Sequence, residues 1–385
     1  MHRVLVLGAG KIGSLLSGLL AASGEYQVDL ADMNGHAAQA VAAGHKLANI
    51  KAHQVDARNP QALEQHVKAH AVDAVISSLP YFCNPPVAEA ARKLKLHYFD
   101  LTEDVEVTRA VTHTAAGAAT VFAPQCGLAP GFISIAANEI MSHFDAVHDV
   151  KLRVGALPQN PGNMSKYALT WSSDGVINEY GNLCYGIANG KPAALMPLEG
   201  LETLQLEGRL YEAFNTSGGL GSLAETWAGK VRNLTYKTMR YPGHCEIMRV
   251  LMNDLRMNEH RDELKIIMER AVPRTVQDVV LVYVSVSGTQ HGKFMEENYV
   301  NTIYPQEIAG RLWSAIQVTT SSGVCAVVDL VLKNPAAYKG LVKQERFKLG
   351  EVLANRFGKA YAQAETAELS ARLVRTGEAV KQFVA

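Results

Sequence analysis

RVLVLGAGKIG, residues 3–13, is an apolar run that breaks on glycine and reopens as a helix. Val4 to Leu7 is apolar throughout, as a strand covered on both faces must be. Gly8, Gly10 and Gly13 follow in G-x-G-x-x-G spacing, and Leu15, Leu16, Leu19 and Leu20 continue at helical period. In such a strand–turn–helix unit the first glycine permits the tight turn and the second lets the backbone approach a pyrophosphate. The third lets helix and strand pack closely. The backbone from Gly10 through Lys11 and Ile12 to Gly13 then offers N–H groups at the positive end of the helix. Glycine triplets alone are common in plain loops. Here an acid about 20 residues on, Asp32, completes the pattern by accepting from a ribose 2′-OH. That carboxylate would repel a 2′-phosphate, and Met33 and Asn34 rather than arginine follow it, so NAD is expected over NADP. The alternative role for Asp32 is a helix cap. Asp56 is either near the adenine or a cap, and Ser78 and Leu79 would pass beneath the nicotinamide ribose.

Outward from this unit, strands and helices alternate. Strands are expected at Gln27–Ala31, His53–Asp56, Asp73–Ser77, Tyr98–Leu101 and Thr120–Ala123. Helices are expected from about His36, from Pro60 and over Val87–Leu94. Short apolar strands alternating with helices imply an α/β, doubly wound parallel sheet. The pattern changes at the turn cluster GLAPG (127–131). Longer strands, VKLRVGAL (150–157) and VVLVYVSVSG (279–288), then suggest a second α/β domain with a mixed or antiparallel sheet. The expected division is 1–130 for the dinucleotide-binding domain and 131–309 for substrate binding and dimerisation. A helical segment from Ala309 would return residues 310–385 to the first domain.

The 385 residues carry 37 Lys+Arg against 37 Asp+Glu, which removes the electrostatic case for nucleic acid or a charged membrane surface. On this reading no apolar run approaches the ~18 residues of a membrane span, so none is expected. Five cysteines without regular spacing argue against a disulfide framework and suit a reducing cytoplasm. No metal site is expected: His244-Cys245-Glu246 imitates a zinc deaminase H-x-E, but no C-x-x-C completes it.

Ligands of a doubly wound sheet bind outside the carboxyl ends of its strands. That rule selects Tyr81, Asp100 and Cys126 as catalytic candidates, Tyr81 and Asp100 to handle protons and Cys126 as a pocket wall or weak acid. Each has a structural alternative: packed aromatic, helix cap and small hydrophobe. In the second half, Arg240 is a natural carboxylate clamp. Asp174 and Glu179 would meet a cationic group, and Thr216 and Ser217, in the polar stretch FNTSGG (214–219), are further substrate-binding candidates.

GAGKIG (8–13), SSLPY (77–81), CGLAPG (126–131), FNTSGG (214–219) and YKTMRYPGH (236–244) together resemble the saccharopine dehydrogenase-like family, and within it the bacterial lysine 6-dehydrogenases. The resemblance spans nearly the whole chain. It implies a Rossmann domain interrupted by an α/β domain, homodimers, and acid–base roles for Tyr81 and Cys126, with Asp100 a looser match. Saccharopine reductases carry arginine after the WSS element (171–173) and read GLDPG. Asp174 and Ala129 stand at these places here and tilt the expectation toward a small amine. The implied activity is NAD-dependent oxidative deamination of the ε-amino group of L-lysine. Alternatives are a glutamate-forming saccharopine dehydrogenase, a carboxyspermidine-type condensing enzyme, or a non-catalytic NAD sensor.

Overall fold

The computed structural model describes residues 1–362. Its first sheet contains β1 (His2–Leu7), β2 (Tyr26–Asp32), β3 (Ile50–Gln54), β4 (Ala74–Ser77), β5 (His97–Asp100) and β6 (Val121–Ala123), with Gly340–Leu341 as a seventh strand. All pairings are parallel, in the order 340–341, β6, β5, β4, β1, β2, β3. The alternation within β1 shows why Val4 to Leu7 are all apolar. Val4 and Val6 enter the core beneath helices 11–22, 132–141 and 315–333, whereas Leu5 and Leu7 enter the one beneath helices 60–70, 84–94 and 105–115. Each side chain so buried contributes roughly 1.5–3 kcal/mol. The strand order reverses between β1 and β4, which opens a crevice at their carboxyl ends.

The second sheet is mixed. It contains β7 (Ala146–Pro158), the hairpin β8 (Cys184–Ala188) and β9 (Lys191–Leu195), β10 (Glu202–Leu206), β11 (Arg209–Asn215), β12 (Val231–Arg240), β13 (Asp278–Gln290) and β14 (Lys293–Ile303). The order is β10-β11-β12-β7-β13-β14; β7 and β12 run parallel, and the other pairs antiparallel. β13 alternates poorly in sequence because both its faces are covered, Val280 and Val282 by the main core and Val279 and Leu281 by a smaller one.

Three expectations need correction. β3 lies at 50–54 instead of 53–56, since this polar edge strand buries only Ile50 and carries a weak signal. Ala309 and Gly310 form the tip of a hairpin (306–308, 311–313), both with positive φ, so the helix starts at Ala315. Ser314 and Gln317 cap it as a reciprocal pair, and the Asp278 carboxylate accepts from the N–H groups of Ala315 and Ile316 (2.6 and 3.0 Å). That helix, Ala315–Lys333, is long and apolar enough to cross a membrane, contrary to the sequence reading, but 89% of its apolar window is buried inside the protein. It packs on helix 11–22 and leads to Gly340–Leu341 beside β6. Beyond Tyr338 the chain is a short strand and short helices as far as 362, and residues 363–385 of the segment expected to rejoin the first domain lie outside the described residues.

Candidate active site

A cleft of about 430 Å³ runs along the carboxyl ends of β1, β4 and β5 and under the second sheet. Gly10, Lys11, Ile12, Ser78, Leu79 and Tyr81 line one side. Trp171, Asp174, Glu179, Arg240, Glu269 and Arg274 line the other, and Leu101, Glu103 and Gly127–Pro130 form the floor.

The glycine loop has the shape that a dinucleotide requires. Gly8 adopts φ +99°, and a Cβ there would press on the Ser78 carbonyl at 2.8 Å. A Cβ on Gly13 would overlap the Gly8 carbonyl, so the close helix–strand approach needs that glycine. Gly10, by contrast, has open space where a Cβ would stand, on the cleft side. No side chain caps the helix 11–22 N-terminus, and its first turn lines the cleft through Gly10, Lys11 and Ile12. These residues fit a pyrophosphate held on helix N–H groups. Asp32 accepts from the N–H groups of Ala9 and Asn34 (2.8 Å each), which fixes its carboxylate beside the loop. The Lys11 ammonium turns away and donates to the carbonyls of Leu169 and Thr170 (3.2 Å each), so this side chain clasps the opposite wall. Asp56 is exposed and paired with Arg58 (2.9 Å), away from the cleft; Asn59, not Asp56, caps the next helix.

On the far wall Arg240 is buried and rigidly held. Its Nε donates to the Tyr180 hydroxyl (2.8 Å) and Nη1 to the Met239 carbonyl (2.9 Å), and the guanidinium lies 5.1 Å above the Tyr167 ring. The Tyr180 hydroxyl and His244 Nε2 are 3.0 Å apart, and His244 Nδ1 meets the Ser165 carbonyl at 2.7 Å. Burial, reinforced by the Arg240 charge, pushes the His244 imidazole down to about 3, so it stays neutral. Its Nδ1–H therefore donates to Ser165, Tyr180 donates to Nε2, and Arg240 donates to Tyr180: a chain of single-direction hydrogen bonds that orients the guanidinium. Two donors are spent in this way, which leaves the others for a ligand.

Two carboxyls lining the cleft are perturbed. Burial pushes Glu179 up to about 8, opposed by Arg240 and reinforced by Glu103. Burial likewise pushes Glu103 up to about 7, with Asp104 and Asp100 adding to the effect. Glu179 is thus protonated at neutral pH and becomes an anion only above about 8. Asp174 lines the cleft but is paired with Lys265 (2.7 Å). Tyr81 is also held above its ordinary value by burial and by Asp104 and Glu103, so it remains a donor.

Asp100 and Cys126 are placed differently from expectation. Asp100 is fully buried and does not line the cleft; it accepts from the Tyr98 hydroxyl (2.7 Å) and from the N–H groups of Thr102 and Gln125 (3.0 and 2.9 Å), tying the ends of β5 and β6 together. The Cys126 thiol donates to the Ala123 carbonyl (3.0 Å) and accepts from Gln344 Nε2 (3.4 Å). Burial, with Asp100 adding to it, holds that thiol far above its ordinary value. Neither side chain lines the cleft. Cys126→Ala is therefore expected to retain turnover within about 3-fold while lowering Tm, since a small buried side chain of this type is packing; a loss of 100-fold at unchanged Tm would restore a chemical role. Thr216 and Ser217 are buried one layer behind the cleft. Thr216 bonds Thr238 (2.7 Å), which does line the cleft, and the Ser217 N–H donates to the Glu179 carbonyl (2.9 Å).

Glu103 is the residue that strand-end reasoning missed. It stands three residues beyond β5 in LTEDVE (101–106), and attention to every acid within the loop, not only the strand-ending Asp100, would have found it. Glu269, Arg274 and Trp171 carry no sequence signal and reach the cleft only through the fold.

A parallel sheet with a glycine-loop crevice, facing a wall of guanidinium and carboxyl groups, defines an oxidoreductase with an NAD(P)-binding domain. Residues 4–123 match the saccharopine dehydrogenase NADP-binding domain, and residues 127–359 match the saccharopine dehydrogenase C-terminal domain. The chain belongs to the saccharopine dehydrogenase family. Its fold is that of the saccharopine dehydrogenase (L-Glu forming) of Saccharomyces cerevisiae, with a TM-score of 0.74 at 17% identity over 96% of this chain and 98% of that one. A probable dehydrogenase from Thermotoga maritima gives a TM-score of 0.46 at 12% identity, over 96% and 97% of the two chains.

Proposed function

We propose that this protein catalyses NAD-dependent oxidative deamination of L-lysine at its ε-carbon, giving the semialdehyde and ammonia. The observation that carries this reading is the charge of the cleft wall. Glu103, Asp174, Glu179 and Glu269 face it against Arg240 and Arg274, while the Lys11 ammonium is engaged by carbonyls. With Asp174 compensated by Lys265 and with Glu103 and Glu179 ionised above about pH 8, three acids face two arginines, a wall that suits a substrate with one carboxylate and two amines better than saccharopine with its three carboxylates.

When bound, the dinucleotide supplies a hydride acceptor. The chain's own groups do the rest. Arg240 holds the α-carboxylate with donors that Tyr180 and Met239 leave unused. Only the neutral amine can expel a hydride, because its lone pair forms the C=N bond, and roughly one lysine in a few thousand is neutral at pH 7. Glu103 accepts the ammonium proton, a task its raised carboxyl suits, and releases it to solvent once the hydride has left; it then takes up the proton lost as water adds to the iminium ion and returns it to the nitrogen that leaves as ammonia. Tyr81 donates a hydrogen bond to the departing nitrogen. Asp32 favours NAD by accepting from a ribose hydroxyl and repelling a phosphate there.

Purified protein mixed with NAD and L-lysine at about pH 9 to 10, where more of the amine is neutral, should form NADH and ammonia in equal amounts. Saccharopine, 1,5-diaminopentane and NADP run in parallel. Turnover with saccharopine alone would move the activity to the glutamate-forming dehydrogenase, and NAD binding without turnover of any of them would make the chain a sensor.

A further inference from the structure

A second cluster of chemistry-bearing side chains lies at the opposite side of the first sheet. His66 and His70 are one turn apart on helix Pro60–His70, and so share a face. β3 and β2 present His53 and Asp29 to that face, since His53 pairs with Ala31, two residues from Asp29. The three imidazoles are packed against one another, with ring centroids 4.2 to 4.7 Å apart, and one nitrogen from each lies within 4.8 Å of the other two. His53 Nε2 is 3.3 Å from Asp29 Oδ1, and His66 Nε2 is 3.8 Å from Oδ2.

We propose that His53, His66, His70 and Asp29 bind one divalent transition-metal ion of the zinc class. A purely structural cluster leaves two polar atoms stranded: Asp29 Oδ2 and His66 Nε2 are buried and have no hydrogen-bond partner among the described residues. Buried polar atoms are rarely left so, because each forfeits its water without replacement. One cation shared by them satisfies both. Three imidazole nitrogens with one carboxylate oxygen form a ligand set that zinc takes tetrahedrally, at about 2.0–2.2 Å. This geometry places ligand atoms roughly 3.3 Å apart, so the side chains close in by about an ångström through rotation. His70 already has the second contact that orients a metal-binding imidazole: its Nδ1 meets the His66 carbonyl at 2.8 Å, which leaves Nε2 free. None of these residues lines the catalytic cleft. The ion would pin helix 60–70 onto β2 and β3, a structural task. The spacing hides the set in sequence, because Asp29 lies in another strand and a His-x3-His pair on a helix is common.

The test uses tag-free, full-length protein, first treated with a chelator and dialysed. Cobalt(II) titration should give the visible absorption of a tetrahedral site, saturating at one equivalent, and zinc should displace it. Zinc should also raise Tm. His70→Asn and His53→Gln, both at half-buried positions, should each weaken binding by more than about 100-fold and abolish the zinc-dependent rise in Tm. Circular dichroism checks that these variants fold, and His66→Ala is added where it does. No saturating equivalent in the parent, or equal binding by parent and folded variants, would overturn the proposal; the chain's other histidines would then account for the metal.

Discussion

Glu103→Gln is expected to lower kcat for amine oxidation by about 10²- to 10⁴-fold, the usual contribution of a placed general base, with little change in KM. The amide has nearly the shape of the carboxyl and still fills the cleft floor, but it cannot take a proton. Because burial pushes Glu103 up to about 7, turnover in the parent should rise with pH through that value as the carboxyl ionises, and the variant should lose this limb. A stability measurement gives an independent check, and its sign follows from the same shift. The folded carboxyl titrates near 7, against 4.5 as the ordinary value, so the folded state holds more protons between those limits. Stability from this group is therefore greatest below about 4.5 and is lost as pH rises to about 7. Relative to the parent, Glu103→Gln should gain Tm at pH 8 compared with pH 4.5. A kcat unchanged within 3-fold, with that pH-dependent gain intact, would leave Glu103 a buried acid and pass the base to another group. Tyr81→Phe is the natural companion, since a hydroxyl held above its ordinary value is a donor and its loss should not remove the limb near 7.

The contrast between Glu103 and Asp100 also shows where sequence reasoning reaches its end. Most of the first sheet is readable because its central strands are short apolar runs closed by turns, and the cofactor loop because Gly13 answers to the Gly8 carbonyl only five residues back. The crevice rule correctly points to the loop after β5. It does not say which of two acids faces inward, and that depends on the turn: Thr102 and Gln125 donate backbone N–H groups that capture Asp100, so Glu103 is the one presented to the cleft. Cys126 is displaced for a similar reason, since Gln344, more than 200 residues later, covers its sulfur. The far wall is legible only in part. Arg240 stands out as a cation in an otherwise apolar and hydroxylic strand end, but the hydrogen bonds that fix it come from Tyr180 and, through it, His244. No local pattern connects residues 60 positions apart. Thr216 and Ser217 belong to a glycine-rich turn behind the cleft, where the Thr216 hydroxyl bonds that of Thr238 and the Ser217 N–H donates to the Glu179 carbonyl.

Arg240→Ala should raise KM for L-lysine by at least about 100-fold, near 3 kcal/mol, the loss of charge-assisted hydrogen bonds to a carboxylate. kcat should fall less, since the ε-carbon and its base are remote from this clamp. The substitution also removes the bond that the Tyr180 hydroxyl accepts, leaving only its donation to His244, and empties the space over Tyr167, so some loss of Tm is expected and must be separated from the loss of affinity. Competing ligands make the separation. 6-Aminohexanoate keeps the carboxylate and one amine, and its inhibition constant should rise with the KM for lysine. 1,5-Diaminopentane has no carboxylate and should bind parent and variant alike. Equal losses for both would show that Arg240 maintains the shape of the wall and holds no carboxylate. Tyr180→Phe refines the argument. It deletes only the acceptor for Nε and the donor to His244, leaving the charge in place, so a smaller KM rise of about 10-fold would measure what orientation adds to the charge itself. Arg240→Lys should recover little, because a lone ammonium cannot meet Tyr180 and both oxygens of a carboxylate at once.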